Sequence, residues 1–226
     1  MRNAHFELGR FLARLVFTVI NVRCTLDGAK NLPEEDQPFV LALNHASMLD
    51  GPLVWSVIEP PIYFVTKREF HRVPVLGTVS KRVGNIAIQR GSIDRTAIRG
   101  AVEYLTVRKR SIGVFVEGTR TPDGEVHEAK TGSALLVLLT GAPVIPAYIH
   151  GTFDIWPRHD RIPGWGPTAG ITLGPALRYE RSGENPSKQR LTQVAGEITS
   201  AIAGLRKSVL AREGKGEGGP TGRFEI

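Results

Sequence analysis

The chain alternates short apolar segments with longer amphipathic ones. Short runs rich in apolar or β-branched residues, most of them bounded by Gly or Pro, predict buried strands. These runs span residues 21–28, 38–44, 61–67, 84–89, 111–116, 143–149 and 170–174. Between them, apolar residues fall at helical spacing. Strands that alternate with helices in this way predict an α/β fold, with a mixed, largely parallel central sheet flanked by helices.

Three helices are predicted beyond the third strand. Ser92 is a candidate N-cap for the first, and Gly141 ends the second. Asn185 and Pro186 open the third, which ends near Gly214. Its apolar stripe consists of Leu191, Val194, Ile198, Ile202, Leu205 and Val209.

The first 22 residues form a further amphipathic helix. One side of it carries Leu8, Phe11, Leu12, Leu15, Val16, Val19 and Ile20. The longest uncharged stretch, residues 15–22, is well short of the roughly 18 to 20 residues that a membrane span requires. Such a helix either caps the core of the protein or lies in a bilayer interface, with Arg10 and Arg14 facing anionic headgroups.

Composition and charge narrow the classes of partner. A chain of 226 residues, 41% of them hydrophobic, suits a single globular domain. The formal net charge of +7 favours anionic partners: nucleic acid, phosphorylated metabolites or an acidic lipid surface. No basic stretch is interleaved with stacking aromatic residues, so nucleic acid is not an expected partner. The histidines and the single cysteine lack the spacing of a zinc site, and no metal is expected.

The segment NHASMLD places His45 and Asp50 directly after the strand predicted at 38–44. Ligands of α/β proteins gather at the carboxyl ends of strands. With His45 in the turn and Asp50 reaching back from a helix, the carboxylate would orient the imidazole as a general base for a hydroxyl group. The alternative is a histidine that caps the helix beside an unrelated aspartate.

The segment VFVEGTRT follows another predicted strand, at 111–116. A tight turn there would present backbone amides, a hydroxyl and a guanidinium to a phosphate group. Arg90, at the end of the strand predicted at 84–89, and Lys130, in HEAKTG, are two further candidate cations, although each alone could be a solvated surface charge. The candidate phosphate-site residues are Glu117, Gly118, Thr119, Arg120, Arg90 and Lys130.

Taken together, these segments resemble a known family. NHASMLD, KREFHRVPVLG, GNIAIQR, FVEGTR and GAPVIPAYI occur in the order and spacing of the glycerolipid acyltransferases, which include the bacterial 1-acylglycerol-3-phosphate acyltransferases. The resemblance covers roughly residues 20–180. It differs at Val116, where the family usually has proline, at Gln89, where aspartate often precedes the arginine, and in AKTG, which replaces Phe-Lys-x-Gly.

The resemblance implies transfer of an acyl group from acyl-CoA or acyl-carrier protein to the free hydroxyl of a lysophosphatidic acid. His45 and Asp50 would act without a covalent acyl-enzyme, metal or cofactor. Glu117, Gly118, Thr119 and Arg120 would form the acceptor-phosphate motif, assisted by Arg90 and Lys130. An acceptor such as glycerol 3-phosphate or another lysophospholipid would share every motif, and a non-catalytic module that binds anionic lipid is a more distant alternative.

The resemblance also favours the interfacial position of the first helix. The predicted organisation is a membrane-interface helix at 1–22, an acyltransferase domain at 23–213 and a Gly-rich flexible tail at 214–226. The expected location is the cytoplasmic face of the cell membrane, with peripheral or monotopic attachment to an anionic surface. A second candidate contact is the segment 152–166, in which two tryptophans bracket Arg158, His159 and Arg161. The alternative for this segment is an ordinary exposed loop.

Overall fold

A computed structural model describes residues 4–34, 36–67, 76–88, 95–166, 168–183 and 185–214. The strands are β1 (Arg23–Asp27), β2 (Val40–Leu43), β3 (Ile62–Lys67), β4 (Ile86–Ile88), β5 (Ser111–Phe115), β6 (Val144–His150) and β7 (Thr168–Leu173). The α-helices are α1 (Ala4–Val19), α2 (Asp50–Val57), α3 (Leu76–Val83), α4 (Arg95–Thr106), α5 (Thr131–Thr140), α6 (Thr152–Ile155) and α7 (Lys188–Glu213).

The described strands form one sheet in the order β1-β7-β6-β2-β5-β3-β4. Neighbouring strands are parallel except β6 and β7, which are antiparallel. The predicted α/β fold with a mixed, largely parallel sheet is therefore confirmed. Because β2 lies between β5 and β6, and all three run in the same direction, their carboxyl ends meet at one edge of the sheet.

The core lies on both faces of the sheet. All four residues of β2 are buried, as expected for a parallel strand covered by helices on each side. The apolar helix α5 also buries most of its length.

The sequence predicted the end of α5 correctly and the start of α7 incorrectly. Helix α5 ends at Thr140, as predicted, and Gly141 after it adopts a left-handed conformation. Helix α7 begins at Lys188, whereas Asn185 and Pro186 were expected to open it. Ser187 is the N-cap, because its hydroxyl accepts a hydrogen bond from the backbone N–H of Arg190. Ser92, the predicted cap of α4, and most of the tail at 214–226 lie outside the described residues.

Helix α1 packs on the protein with the side that the hydrophobic pattern did not predict. Phe6, Ala13 and Phe17 are buried. The residues of the predicted apolar stripe that stay exposed are Leu8, Phe11, Leu15 and Val19. The helix therefore contributes to the core and still presents an apolar stripe to its surroundings.

The expectation that Arg10 and Arg14 face lipid headgroups is wrong. Arg10 is buried, pairs with Glu59 and donates to the carbonyl of Ile58 at 3.2 Å. Arg14 donates twice to the carbonyl of Ser56, from Nε at 3.2 Å and from Nη2 at 3.1 Å. Both arginines thus bind the carboxyl end of α2, where a helix offers unpaired carbonyls and partial negative charge.

None of the helices in the described parts of the chain has both the length and the apolar character needed to cross a bilayer.

The position of α1 gives a prediction about stability. Phe17 is fully buried, whereas Phe11 on the same helix is 62% exposed. Phe17→Ala should lower the free energy of unfolding by about 3 to 5 kcal/mol, through lost burial and the cavity left behind. Phe11→Ala should change it by less than about 0.5 kcal/mol. Denaturant unfolding of both variants measures this, and equal effects would contradict the packing of α1.

Candidate active site

The candidate site lies where the carboxyl ends of β2, β5 and β6 meet. The turn after β2 carries His45, the turn after β5 carries Glu117 and Arg120, and α6 begins directly after β6. Ligand sites of α/β proteins form at this edge because loops from neighbouring strands converge there. The structure therefore brings the two motifs found in the sequence to adjacent positions.

His45 and Asp50 are in direct contact. Nδ1 of His45 lies 2.8 Å from Oδ2 of Asp50. The carboxylate is fully buried, whereas the imidazole remains 21% exposed. The geometry is the expected one, with His45 in the turn and Asp50 as the first residue of α2. A ring that is open to solvent and backed by a buried carboxylate can exchange protons with an incoming molecule.

The carboxylate of Asp50 accepts four hydrogen bonds. Oδ2 accepts from the imidazole of His45 and from the backbone N–H groups of Ala46, at 2.7 Å, and Ser47, at 2.9 Å. Oδ1 accepts from the hydroxyl of Thr152 at 2.7 Å. Since an ionised carboxylate only accepts, Nδ1 of His45 carries the ring proton. The lone pair of Nε2 is then available as a base.

Thr152 is a site residue that the sequence did not reveal. It is the first residue of α6, and Gly151 precedes it with a φ of 77°. A Cβ on Gly151 would lie 2.3 Å from the carbonyl oxygen of Thr168, so the tight turn that delivers Thr152 requires glycine. The only local signal is a Gly-Thr pair directly after a strand.

Two further contacts hold the catalytic turn, residues 44–49 with His45, against β6 and the segment beyond it. The side-chain amide of Asn44 donates to the carbonyl of Ile149 at 3.0 Å, and its oxygen accepts from the backbone N–H of Ile149 at 2.7 Å. The hydroxyl of Ser47 donates to the carbonyl of Trp156 at 2.7 Å. All of these groups are satisfied within the protein, so the turn is preorganised.

Aromatic rings pack against the imidazole in a column. His45 stacks on Phe115 with ring centroids 4.0 Å apart, and Phe115 stacks on Phe64 at 5.2 Å. Gly113 makes room for the column, because a Cβ there would lie 2.5 Å from the ring of Phe64. The column limits rotation of the imidazole. The sequence predicted a strand position for Phe115 but not its contact with His45.

Glu117 faces the catalytic turn. It is buried, and its Oε1 accepts from the backbone N–H of His45 at 3.4 Å. Burial raises the pKa of this carboxyl to about 7. The contact that Glu117 makes positions the turn, and its role in the acceptor-phosphate motif stays a prediction.

The remaining residues of the phosphate motif differ in what they expose. The N–H of Gly118 donates to the carbonyl of Phe115 at 3.0 Å, and Thr119 is exposed. The ammonium of Lys130 lies over Gly118, since a Cβ on that glycine would be 3.1 Å from Nζ. Arg90 lies outside the described residues. The binding roles of these residues stay predictions.

Arg120 is a half-buried cation beside the catalytic pair. The next residue, Thr121, donates its N–H to the carbonyl of His45 at 2.7 Å, which fixes the start of this loop. Burial lowers the pKa of the Arg120 guanidinium, the charge of Arg158 lowers it further, and Asp50 partly offsets both effects. Within the described part of the chain, Arg120 forms no hydrogen bond or ion pair.

Comparison with known proteins identifies the family. A model of the acyltransferase family matches residues 23–150, which include the turns after β2 and β5. The chain belongs to the acyltransferase family.

Named relatives agree with this assignment. The chain is 30% identical to the 1-acyl-sn-glycerol-3-phosphate acyltransferase of Pseudomonas aeruginosa over 210 residues, 88% of this chain and 78% of that protein. It is 27% identical to the enzyme of the same name from Borreliella burgdorferi over 149 residues, 65% of this chain. The chain spans 59% of the length of the Borreliella protein and 38% of a chloroplastic relative from Brassica napus.

The fold is also found in a solved structure. The crystal structure of the 1-acyl-sn-glycerophosphate acyltransferase PlsC from Thermotoga maritima matches with a TM-score of 0.75 at 23% identity, over 92% of this chain and 80% of that one. The family match and the named relatives confirm the resemblance of the sequence motifs to glycerolipid acyltransferases, and the solved structure agrees in fold.

Glu117 gives this protein a predictable dependence of stability on pH. Its pKa is about 7 in the folded protein and 4.5 in its ordinary state. Between these values the folded state binds more protons than the unfolded state, so Glu117 makes stability fall as pH rises through the window. Glu117→Gln removes the titrating carboxyl and therefore this fall in stability.

Denaturant unfolding from pH 5 to 8 tests the prediction. The free energy of unfolding of Glu117→Gln, minus that of the unmodified protein, should increase with pH. The exposed Glu128 is the control, and the difference should change with pH more steeply for Glu117→Gln than for Glu128→Gln. A flat difference for Glu117→Gln would contradict the assigned burial.

Proposed function

We propose that the protein transfers a fatty acyl group from acyl-CoA or acyl-carrier protein to the free hydroxyl of a lysophosphatidic acid, which yields phosphatidic acid. The observation that carries the proposal is the partly exposed imidazole of His45, fixed by the buried carboxylate of Asp50 beside the guanidinium of Arg120, which forms no ion pair within the described residues. Such an arrangement suits an alcohol that carries a phosphate.

The proposed reaction uses His45 as a general base. Nε2 accepts the proton of the acceptor hydroxyl as its oxygen attacks the thioester carbonyl. The C–O bond forms, the C–S bond breaks, and the imidazolium returns the proton to the departing thiolate. Asp50 stabilises the imidazolium throughout, and no residue of the chain becomes acylated. The reaction needs no cofactor or metal besides the thioester substrate.

The phosphate of the acceptor is assigned to Arg120, with Lys130 and Arg90 in support. A guanidinium that lacks a carboxylate partner is free to bind a phosphate in bidentate geometry. Glycerol 3-phosphate or another lysophospholipid would use the same groups, and competition between acceptors in one assay separates these cases. A module that only binds lipid would have no use for an imidazole held on a buried carboxylate.

His45→Ala tests the catalytic assignment. Loss of the base should lower kcat by about 10² to 10⁴ with lysophosphatidic acid and acyl-CoA, while the circular dichroism spectrum is unchanged. The chain offers a matched control in His127, which pairs with Asp123 at 2.9 Å although both side chains are about half exposed. His127→Ala should retain kcat within about threefold. Near-normal turnover by His45→Ala would refute the mechanism.

The exposed stripe of α1 is proposed as the contact with the membrane. Leu8, Phe11, Leu15 and Val19 share one side of the helix, three or four residues apart, and point away from the core. A substrate that resides in a bilayer must be met at its surface, and the positive net charge favours an anionic leaflet. The attachment is peripheral or monotopic, at the cytoplasmic face where acyl-CoA and acyl-carrier protein are available.

Binding to vesicles of phosphatidylethanolamine and phosphatidylglycerol tests this contact. Leu15→Ser should weaken the partition constant about tenfold, because a leucine side chain is no longer transferred from water to lipid. Leu210 on α7 is the matched control, since it is 45% exposed and Leu15 is 46% exposed. Leu210→Ser should bind like the unmodified protein, and equal losses in both variants would place the contact elsewhere.

A further inference from the structure

The loop from Trp156 to Gly166 is fastened to the catalytic turn. The carbonyl of Trp156 accepts from the hydroxyl of Ser47 at 2.7 Å. The indole of Trp156 donates to the carbonyl of Asp160 at 3.0 Å, and the N–H of Asp160 donates to the carbonyl of Pro157 at 3.3 Å. These bonds close a tight turn at the start of the loop, so the residues within it have a defined position relative to His45.

Arg158 lies inside that closed turn, two residues from the contact with Ser47. Arg120 lies beside the catalytic turn, because its neighbour Thr121 donates its backbone N–H to the carbonyl of His45 at 2.7 Å. The two guanidinium groups are close enough for the charge of Arg158 to oppose that of Arg120. The loops after β5 and β6 thus each place one arginine beside the catalytic turn.

Neither arginine is neutralised within the described part of the chain. Arg158 and Arg120 form no hydrogen bond or ion pair there. Other arginines of the protein do, as in the ion pairs Arg10–Glu59, Arg108–Glu103, Arg206–Glu125 and Arg212–Asp27. The nearby carboxylate of Asp50 already accepts four hydrogen bonds. Two like charges that lie close to each other repel, and an anion bound between them offsets that repulsion.

We infer that Arg158 is a second phosphate-binding residue of the active site, which clamps a phosphate monoester together with Arg120. The inference rests on the proposed function, which supplies two such groups: the phosphate of the acceptor and the 3′-phosphate of CoA. Two arginines on different loops can each donate a pair of hydrogen bonds to one phosphate. This assignment differs from the membrane contact that the sequence suggested for the segment 152–166.

The exposed apolar residues of the loop are separate from this clamp. Ile162 and Trp165 are each 76% exposed and lie beyond the closed turn. A contact of the loop with lipid would involve those two side chains and would not require Arg158 to approach Arg120. The two roles therefore predict different behaviour for Arg158 and for Arg161, which carries the same charge in the same loop.

The test compares Arg158→Gln with two matched variants. Arg161→Gln removes a positive charge from the same loop. Arg178→Gln removes a positive charge far from the site, because its neighbour Leu177 pairs with Val144, at the end of β6 opposite to the active site. KM is measured for a short-chain lysophosphatidic acid below its micellar concentration and, separately, for acyl-CoA, without vesicles. Arg158→Gln should raise KM for one of the two about 10- to 100-fold, the loss expected for a hydrogen-bonded charge.

The substrate whose KM rises identifies the phosphate. A rise for the acceptor alone assigns the clamp to the lysophosphatidic acid. A rise for the donor alone assigns it to CoA and contradicts the assignment of Arg120 to the phosphate of the acceptor. Arg178→Gln should leave both KM values unchanged, and Arg161→Gln should change them less than threefold. Unchanged KM values for Arg158→Gln, or equal changes for Arg158→Gln and Arg161→Gln, would overturn the inference.

Calorimetric binding of glycerol 3-phosphate and of adenosine 3′,5′-bisphosphate separates this inference from the proposed reaction. Binding of one of these probes that Arg158→Gln and Arg120→Gln each weaken, with a double variant less affected than the sum, supports the clamp even if no lysophospholipid is acylated. Turnover of lysophosphatidic acid together with probe binding that Arg158→Gln leaves unchanged would retain the function and reject the clamp.

Discussion

The buried carboxylate of Asp50 is the interaction on which the site depends. It gathers an imidazole, two backbone N–H groups and a hydroxyl from two segments of the chain, the turn after β2 and the start of α6. A buried carboxylate is costly unless its acceptor sites are filled. The donors that fill them also fix the turn after β2, its distance from α6 and the proton of His45. One group thereby sets both the local fold and the chemical state of the base.

The surroundings of this carboxylate divide into a rigid side and an open side. On the rigid side, the column of Phe115 and Phe64 limits the ring of His45, and Glu117 accepts from its backbone. On the open side lie the cations that follow β5 and β6. These positive charges beside a fixed base favour anionic substrates. In the proposed reaction they would hold the acceptor hydroxyl near Nε2 of His45.

Local sequence signals predicted the parts of the structure that are built from consecutive residues. The buried runs predicted the strands, and the spacing of His45 and Asp50 predicted their contact across one turn. The side of α1 that packs inward was not predicted, because Arg10 and Arg14 find carbonyl partners on α2 that hydrophobic patterning cannot register. The start of α7 was misplaced because a serine cap outweighed the proline signal.

The site residues that the sequence did not reveal come from distant parts of the chain. Thr152 lies 102 residues from Asp50 in the chain, and only the pairing of β2 with β6 brings them together. Phe115 gains its role from β5 lying beside β2. The sequence suggested a lipid contact for Arg158 because two tryptophans lie near it in the chain, and it gave no sign that the start of this loop is hydrogen-bonded to Ser47. These contacts follow from strand order, which no local pattern encodes.

The position of the ring proton on His45 tests the central claim most directly. Long-range ¹H–¹⁵N correlation spectra of protein labelled at histidine, with the His45 signals assigned by a His45→Gln variant, report this proton for the neutral ring. The account predicts that the proton resides on Nδ1 and that Asp50→Asn removes this preference. A neutral His45 with its proton on Nε2 in the unmodified protein would contradict the account.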